Sequence, residues 1–99
     1  MSTPSPAIGR ILIGEDVRVI AFKMAQALER AGYAVETAGD GEECLRKARE
    51  NPPDLLVLDI MMPRMHGIEV LKTLRDEHRT AKTGVLICAY RAAGPAADA

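Results

Sequence analysis

Short apolar runs alternate with amphipathic segments along the chain, and the two patterns predict strands and helices in turn. Three apolar runs are long enough for strands and too short for helices, at 10–14, 54–59 and 84–90, and residues 33–38 alternate like a half-exposed strand. Between them, three segments carry apolar residues at helical spacing, at 16–31, 40–51 and 67–78. The pattern therefore predicts the order β-α-β-α-β-α-β.

The sequence also marks where the helices start and stop. Gly32 ends the first helix, because glycine enters the left-handed conformation without strain. Asp40 stands three residues before Glu43, the spacing of a capping box, and prolines at 52–53 end the second helix. The apolar positions predicted to face the core are Ile20, Met24, Ala27, Leu28 and Ala31 in the first helix, Cys44, Leu45 and Ala48 in the second, and Ile68, Leu71 and Leu74 in the third.

The third strand indicates the architecture. The segment DLLVLD at 54–59 is apolar on both faces, which is typical of a central strand in a parallel sheet covered by helices on both sides. Strands that alternate with helices form parallel sheets with right-handed crossovers. We therefore predict an α/β fold with a doubly wound, flavodoxin-like parallel sheet of about four strands in the order 2-1-3-4, with three helices.

Three carboxylates follow the carboxyl ends of two neighbouring strands of that sheet. Glu15 and Asp16 come directly after the first strand, and Asp59 ends the third. These strand ends flank the crevice at the switch point of a doubly wound sheet, so we expect the three side chains to converge there. Like charges held together are unfavourable unless a cation lies among them, and carboxylate oxygens suit Mg²⁺.

This acidic group has two interpretations. A carboxylate beside Mg²⁺ can act as a nucleophile toward phosphorus, which makes Asp59 the candidate reactive group. Alternatively, Asp59 caps the helix that follows it, and Glu15 or Asp16 caps the first helix. Three acidic residues at one predicted edge favour the functional interpretation.

Composition narrows the function further. The 99 residues suit one small domain, and a net charge of −1 does not favour nucleic acid or an anionic membrane as a partner. No apolar run is long enough to span a bilayer, and the first residues lack the pattern of a secretion signal, so we expect a cytoplasmic location. Cys44 and Cys88 have no metal-binding spacing and are predicted to be reduced thiols.

The segments RILIGED, GYAVETAGDGEECL, PPDLLVLDIMMPRMHG and GVLICAY together resemble the receiver domain of two-component response regulators. The resemblance covers residues 9–91, between a tail at 1–8 that we expect to be disordered and an Ala/Gly-rich tail at 92–99. The acidic pair, the Asp-x-x-Met-Pro loop and the glycine that follows make this combination specific.

The resemblance implies a phosphorelay module rather than an enzyme with a separate substrate. It implies that Asp59 accepts a phosphoryl group from a sensor histidine kinase or a phosphotransfer protein. It further implies that Glu15, Asp16 and Asp59 hold Mg²⁺ together with the backbone carbonyl of Met61. No DNA-binding element is recognisable, so any output on gene expression requires a partner.

Other positions match the family or depart from it. Pro63 and Gly67 match residues that shape the turn into the third helix, because proline fixes one dihedral and glycine lets the backbone turn sharply. His66 stands where an aspartate is common, which is a peripheral change. Gly14 replaces a branched apolar residue that is usual at the end of the first strand.

Two departures concern switching, which is the change in the domain surface that phosphorylation normally causes in the family. The family usually ends its fourth strand with a Ser or Thr whose hydroxyl binds the phosphoryl group. Counting without gaps from Asp59 places Ala89 there, and a one-residue deletion in the preceding loop places Cys88 there instead. The family's later lysine-bearing strand has no counterpart in the 99 residues, so we expect impaired switching. The alternative function is a degenerate receiver that acts only in protein interaction or dimerisation.

Without the family's later strand beside it, the fourth strand is predicted to be exposed. The fourth strand has neither charge nor proline between Val85 and Tyr90, which is the kind of edge that pairs with another chain. We therefore expect a homodimer through this strand, with Val85, Leu86, Ile87 and Cys88 at its edge.

Overall fold

The computed structural model describes residues 7–60, 62, 66–77 and 80–88. These residues form four parallel strands and three helices in the predicted alternating order. The strands are β1 (Arg10–Gly14), β2 (Ala34–Ala38), β3 (Leu55–Asp59) and β4 (Gly84–Cys88), and the helices are α1 (Arg18–Arg30), α2 (Gly41–Glu50) and α3 (Gly67–Asp76). The sheet order β2-β1-β3-β4 confirms the predicted flavodoxin-like topology.

The sheet is covered on both faces, as the apolar sequence of β3 predicts. Leu56 and Leu58 point into the larger core, which α2 and α3 cover. Val57 points to the opposite face and packs with residues of β1 and α1. Burying both faces of β3 makes it a rigid support for the residue at its end.

Helix α1 differs from its prediction in its start and in part of its buried face. It begins at Arg18 rather than Asp16, because the preceding acidic residues belong to the loop after β1. Ala21 is buried, while Met24 and Leu28 pack half-buried against the sheet. Ala27 is exposed because it lies about 100° around the helix from Leu28, and Ala31 follows the helix as its exposed C-cap.

One predicted core position in helix α3 is wrong. Leu74 is buried and Leu71 packs partly against the core, as predicted. Ile68 is exposed, and Val70 takes its place in the core because Val70 and Leu74 share one face at a spacing of four residues. The described helix ends at Asp76.

The predicted cap of α2 is confirmed in its first half. The Asp40 carboxylate accepts a hydrogen bond from the Glu43 backbone N–H at 2.8 Å. The Glu43 carboxylate, however, accepts from the Gly39 N–H at 2.8 Å rather than from the N-cap residue itself. Cys44, Leu45 and Ala48 form the buried face of this helix, as predicted. Gly32, after α1, has the predicted positive φ of 104°.

None of the helices in the described ranges combines the length and the apolar character that crossing a bilayer requires. The longest, α1, has 13 residues.

Packing explains why glycine stands at position 14, where the family usually has a branched apolar residue. A Cβ atom at this position would lie 3.0 Å from Leu58 Cδ1, 3.1 Å from Cys44 Sγ and 3.3 Å from Met62 Cε. All three neighbours are buried side chains of the larger core. Burial also raises the pKa of the Cys44 thiol to about 12, so the protonated thiol packs as a small core side chain. The space above Gly14 is therefore already filled.

Gly14→Val is expected to destabilise the protein, although it restores the residue type usual in the family. The added methyl groups overpack a filled core, and we expect a loss of about 1 kcal/mol in the free energy of unfolding. Adding Cys44→Ala should recover part of this loss, because it removes the sulfur that lies closest to the new side chain after Leu58. Urea unfolding of the two single variants and the double variant measures the coupling; additive losses would contradict the packing argument.

Candidate functional site

Glu15, Asp16 and Asp59 converge at the carboxyl edge of the sheet, as predicted. One carboxylate oxygen from each residue lies within 4.8 Å of the corresponding oxygens of the other two. The strand register brings this about, because Gly14 of β1 is paired with Leu58 of β3, and each is followed at once by an acidic residue. Glu15 and Asp59 are buried, with 3% and 1% of their surfaces exposed, and Asp16 is half-buried.

Glu15 is held by its backbone and by its side chain. Its N–H donates to the Ala38 carbonyl at the end of β2 at 2.9 Å, which extends the β1–β2 pairing by one residue. Its carboxylate accepts from the Val17 N–H at 3.0 Å. Val17 is the N-cap residue of α1, and its own side chain has no oxygen with which to cap the helix. Glu15 therefore makes a local bond at the start of α1 while it also faces the acidic group.

Asp59 does not cap the helix that follows it. The N-cap of α3 is His66, whose Nδ1 accepts from the Ile68 N–H at 3.3 Å. The Glu69 carboxylate in turn accepts from the His66 N–H at 3.4 Å, which completes a capping box. The capping interpretation is therefore wrong for Asp59, and His66 takes the capping role in place of the aspartate that is common in the family.

Gly67 packs directly against the backbone that carries Asp59. Its N–H donates to the Ile60 carbonyl at 2.9 Å. A Cβ atom on Gly67 would lie 2.7 Å from the Asp59 carbonyl oxygen and 2.8 Å from the Ile60 Cα. These distances are shorter than van der Waals contact with atoms that cannot rotate away. The absence of a side chain at Gly67 thus lets the start of α3 approach the end of β3.

The structure describes only some of the other residues that were predicted to belong to the site. Met61, Pro63 and Ala89 lie outside the described residues, as do Tyr90 and the predicted tail at 92–99. In the strand ladder, the Cα atom of Asp59 is paired with that of Cys88, the last residue of β4. Leu86 is 54% exposed, while Val85 and Ile87 pack half-buried against the larger core.

The acidic group fits a magnesium ion by ligand type and by spacing. All three side chains offer carboxylate oxygens, the hard ligands that Mg²⁺ prefers. Two ligands of one octahedral Mg²⁺ lie at most about 4.2 Å apart, so the three oxygens, which lie within 4.8 Å of one another, reach one ion after a small side-chain adjustment. A bound divalent cation also offsets the repulsion of carboxylates that are held this close. Glu15, Asp16 and Asp59 are therefore the side chains that would hold it.

One set of contacts near Glu15 was not recognised in the sequence. The end of β2 and the loop that follows it are held by Glu43 and Lys47, which form an ion pair of 3.2 Å on α2. Lys47 donates to the Thr37 carbonyl at 2.7 Å, and Glu43 accepts from Gly39 as described above. The Glu-to-Lys spacing of four residues was visible in the sequence, but it indicates only a helical surface pair.

Comparison with known proteins agrees with this geometry. The profile of the response regulator receiver domain matches residues 11–98. The alkaline phosphatase synthesis transcriptional regulatory protein PhoP of Bacillus subtilis is 50% identical over 68 residues, which cover 69% of this chain and 28% of that protein. The response regulator MprA of Mycobacterium leprae is 46% identical over 67 residues, or 68% of this chain and 29% of that protein. The chain thus matches less than a third of the length of these relatives.

Solved structures show the same relationship. The N-terminal domain of a response regulator receiver protein from Methanoculleus marisnigri has a TM-score of 0.78 at 40% identity, covering 82% of this chain and 66% of that one. The chemotaxis response regulator CheY4 of Vibrio cholerae has a TM-score of 0.77 at 35% identity, covering 84% of this chain and 68% of that one. The fold, the acidic group and the sequence matches lead to one conclusion. The chain belongs to the receiver domain family of two-component response regulators.

Proposed function

We propose that the chain is a phosphorelay receiver module that binds Mg²⁺ and accepts a phosphoryl group on Asp59. The observation that carries this proposal is the convergence of Glu15, Asp16 and Asp59, with oxygens within 4.8 Å of one another. Response regulators are phosphorylated by sensor histidine kinases, so the donor is such a kinase or a phosphotransfer protein. In this proposal the chain is cytoplasmic and binds no nucleic acid directly.

The proposed transfer uses this chain's own carboxylate. An Asp59 oxygen attacks the phosphorus of a phosphohistidine, a P–O bond forms and the P–N bond breaks, and the imidazole leaves with its electron pair and takes up a proton. Bound Mg²⁺ neutralises part of the negative charge on the phosphoryl oxygens and the carboxylates. The rigid strand β3 orients the Asp59 carboxylate, and its burial limits competing access of water.

Impaired switching is part of this proposal. Neither Ala89 nor Cys88 carries the hydroxyl that usually meets the phosphoryl group in the family. The same feature supports the second candidate, a degenerate receiver that acts only through protein interaction. The two candidates differ in one measurable property, since only the first requires metal and phosphoryl chemistry at Asp59.

Magnesium titration tests the metal site. We expect the backbone amides of residues 14–17 and 59–62 to shift in NMR spectra as Mg²⁺ is added, because the nearby carboxylates of Glu15, Asp16 and Asp59 become ligands. Asp76→Asn, which changes an exposed carboxylate at the end of α3, should show the same shifts and serves as the control. The phosphoryl mimic beryllofluoride, added with Mg²⁺, should shift the same amides further. A protein whose site amides respond to neither addition would favour the degenerate receiver.

Association of the 99-residue chain through β4 is a further expectation of the proposed function. In the described sheet β4 pairs with β3 on one side, and its Leu86 side chain is 54% exposed. An apolar edge of this kind pairs with the same edge of a second copy in a closed dimer. Leu86→Lys should therefore shift the dimer to monomer without disturbing the core, whereas Ile87 packs against the core and is a poorer test.

Light scattering over a dilution series measures this association. Val19→Lys is the matched control, because Val19 is similarly exposed at 58% but lies on α1. A parent chain that stays monomeric at high concentration would exclude the β4 dimer, as would equal effects of the two lysines.

A further inference from the structure

The end of β2 and the first residue of the loop that follows it are held at two successive peptide groups by one ion pair. Lys47 Nζ donates to the Thr37 carbonyl at 2.7 Å, and the Glu43 carboxylate accepts from the Gly39 N–H at 2.8 Å. The two side chains pair with each other at 3.2 Å, so both anchors are joined. The residue enclosed between the two anchored groups is Ala38.

Ala38 is the residue that holds the backbone of Glu15. Its carbonyl accepts from the Glu15 N–H at 2.9 Å, and its side chain is buried in the larger core. The position of this carbonyl sets the position of the Glu15 backbone, and hence where the Glu15 carboxylate meets Asp16 and Asp59. From this continuous chain of contacts we propose that Glu43 and Lys47 are positioning residues for the magnesium site. The inference rests on the proposed function of that site.

The environment of the pair suits this role. The side chains of Lys47 and Glu43 are only 23% and 35% exposed, so solvent weakens their attraction less than on an open surface. The hydrogen bond from the Gly39 N–H, followed by the contact with Lys47, lowers the pKa of the Glu43 carboxyl. Glu43 is therefore ionised at neutral pH, as its ion pair with Lys47 requires.

A second ion pair on the same helix provides the control. Arg46 and Glu50 are also four residues apart and pair at 3.2 Å. Their side chains are 57% and 62% exposed, and within the described residues the Arg46 guanidinium donates its hydrogen bonds to the Glu50 carboxylate. Lys47→Met and Arg46→Met therefore remove the same charge and the same type of helical pair from α2. Only Lys47→Met removes a contact that anchors the end of β2.

The direction of the effect on Mg²⁺ affinity separates positioning from general electrostatics. Removing a positive charge makes the domain more negative, which by charge alone strengthens binding of a cation. Loss of positioning weakens it, and residues that orient metal ligands change affinity by roughly tenfold or more. We expect Lys47→Met to raise the dissociation constant for Mg²⁺ by roughly tenfold, and Arg46→Met to leave it unchanged or lower it slightly. Lys47→Arg, which keeps a donor and the charge, should recover part of the affinity.

A second measurement needs no metal. The Glu15 amide donates to Ala38, so its hydrogen exchange reports directly on the anchored end of β2. In metal-free protein, Lys47→Met should speed exchange of the Glu15 amide relative to that of Leu12 in the preceding strand β1, and Arg46→Met should not. Urea unfolding of each variant provides the correction for global stability.

The outcomes distinguish this inference from the proposed function. If the parent shows no Mg²⁺-dependent shifts, the proposed function fails, while the exchange of the Glu15 amide still tests the positioning role. If the parent binds Mg²⁺ and Lys47→Met binds it equally well or more tightly, with unchanged exchange at Glu15, the positioning role is overturned.

Discussion

Asp59→Asn is expected to abolish phosphoryl uptake from a small phosphodonor such as acetyl phosphate. The amide is a poor nucleophile, and the substitution keeps the size and shape of a side chain that is 1% exposed. Loss of folding does not account for this result, because removing one of three clustered negative charges relieves repulsion. Intact-mass spectrometry after incubation with the donor and Mg²⁺ should show the added phosphoryl group on the parent and none on the variant.

The control for this measurement is an aspartate outside the site. Asp76→Asn changes the same chemical group at an exposed position at the end of α3, and its uptake should equal that of the parent. Equal uptake by Asp59→Asn and the parent would place the acceptor elsewhere and refute the assignment of Asp59. Uptake by neither would instead favour the degenerate receiver.

Gly67→Ala adds only one methyl group, yet we expect it to reduce the free energy of unfolding more than Gly14→Val does. The new methyl group would lie 2.7 Å from the Asp59 carbonyl oxygen and 2.8 Å from the Ile60 Cα, so the backbone must move. Overpacking typically reduces the free energy of unfolding by about 1–3 kcal/mol, and the loss is at the upper end when the new group meets backbone atoms. The better helix propensity of alanine recovers up to about 1 kcal/mol of this loss. We expect a net loss of about 2 kcal/mol in the free energy of unfolding, measured in urea.

The site should respond as well, because the atoms that must move carry Asp59. We expect weaker Mg²⁺ binding by Gly67→Ala under conditions in which it is fully folded. Gly39→Ala is the matched control: its new Cβ would meet only Glu43 Oε1, at 3.7 Å, which is ordinary contact. Its stability should stay within about 0.5 kcal/mol of the parent. Similar losses for the two variants would show that the close approach at Gly67 does not matter.

The local sequence pattern was sufficient to predict the strands and helices, but it did not identify the buried face of every helix correctly. Leu56, Val57 and Leu58 form an unbroken apolar run, and a strand with that pattern is central in a parallel sheet. Ile68 and Ala27 were assigned wrongly, because each helix has more apolar positions than its buried face holds and the pattern leaves its rotation open. Packing against the sheet decided that rotation, with Val70 and Ala21 turned inward.

The sequence alone determined the topology and, through it, the meeting of Glu15, Asp16 and Asp59. Strand order and parallel direction follow from the alternation of elements, and both acidic segments directly follow strands that this order makes neighbours. Only the tertiary structure decided how the group is supported. The contact of Gly67 with the Asp59 backbone, the hydrogen bond from Lys47 to Thr37 and that from Glu15 to Ala38 each join different segments of the fold. Such contacts depend on distances of a few ångströms between packed elements, and a one-dimensional pattern of residue types carries no information at that scale.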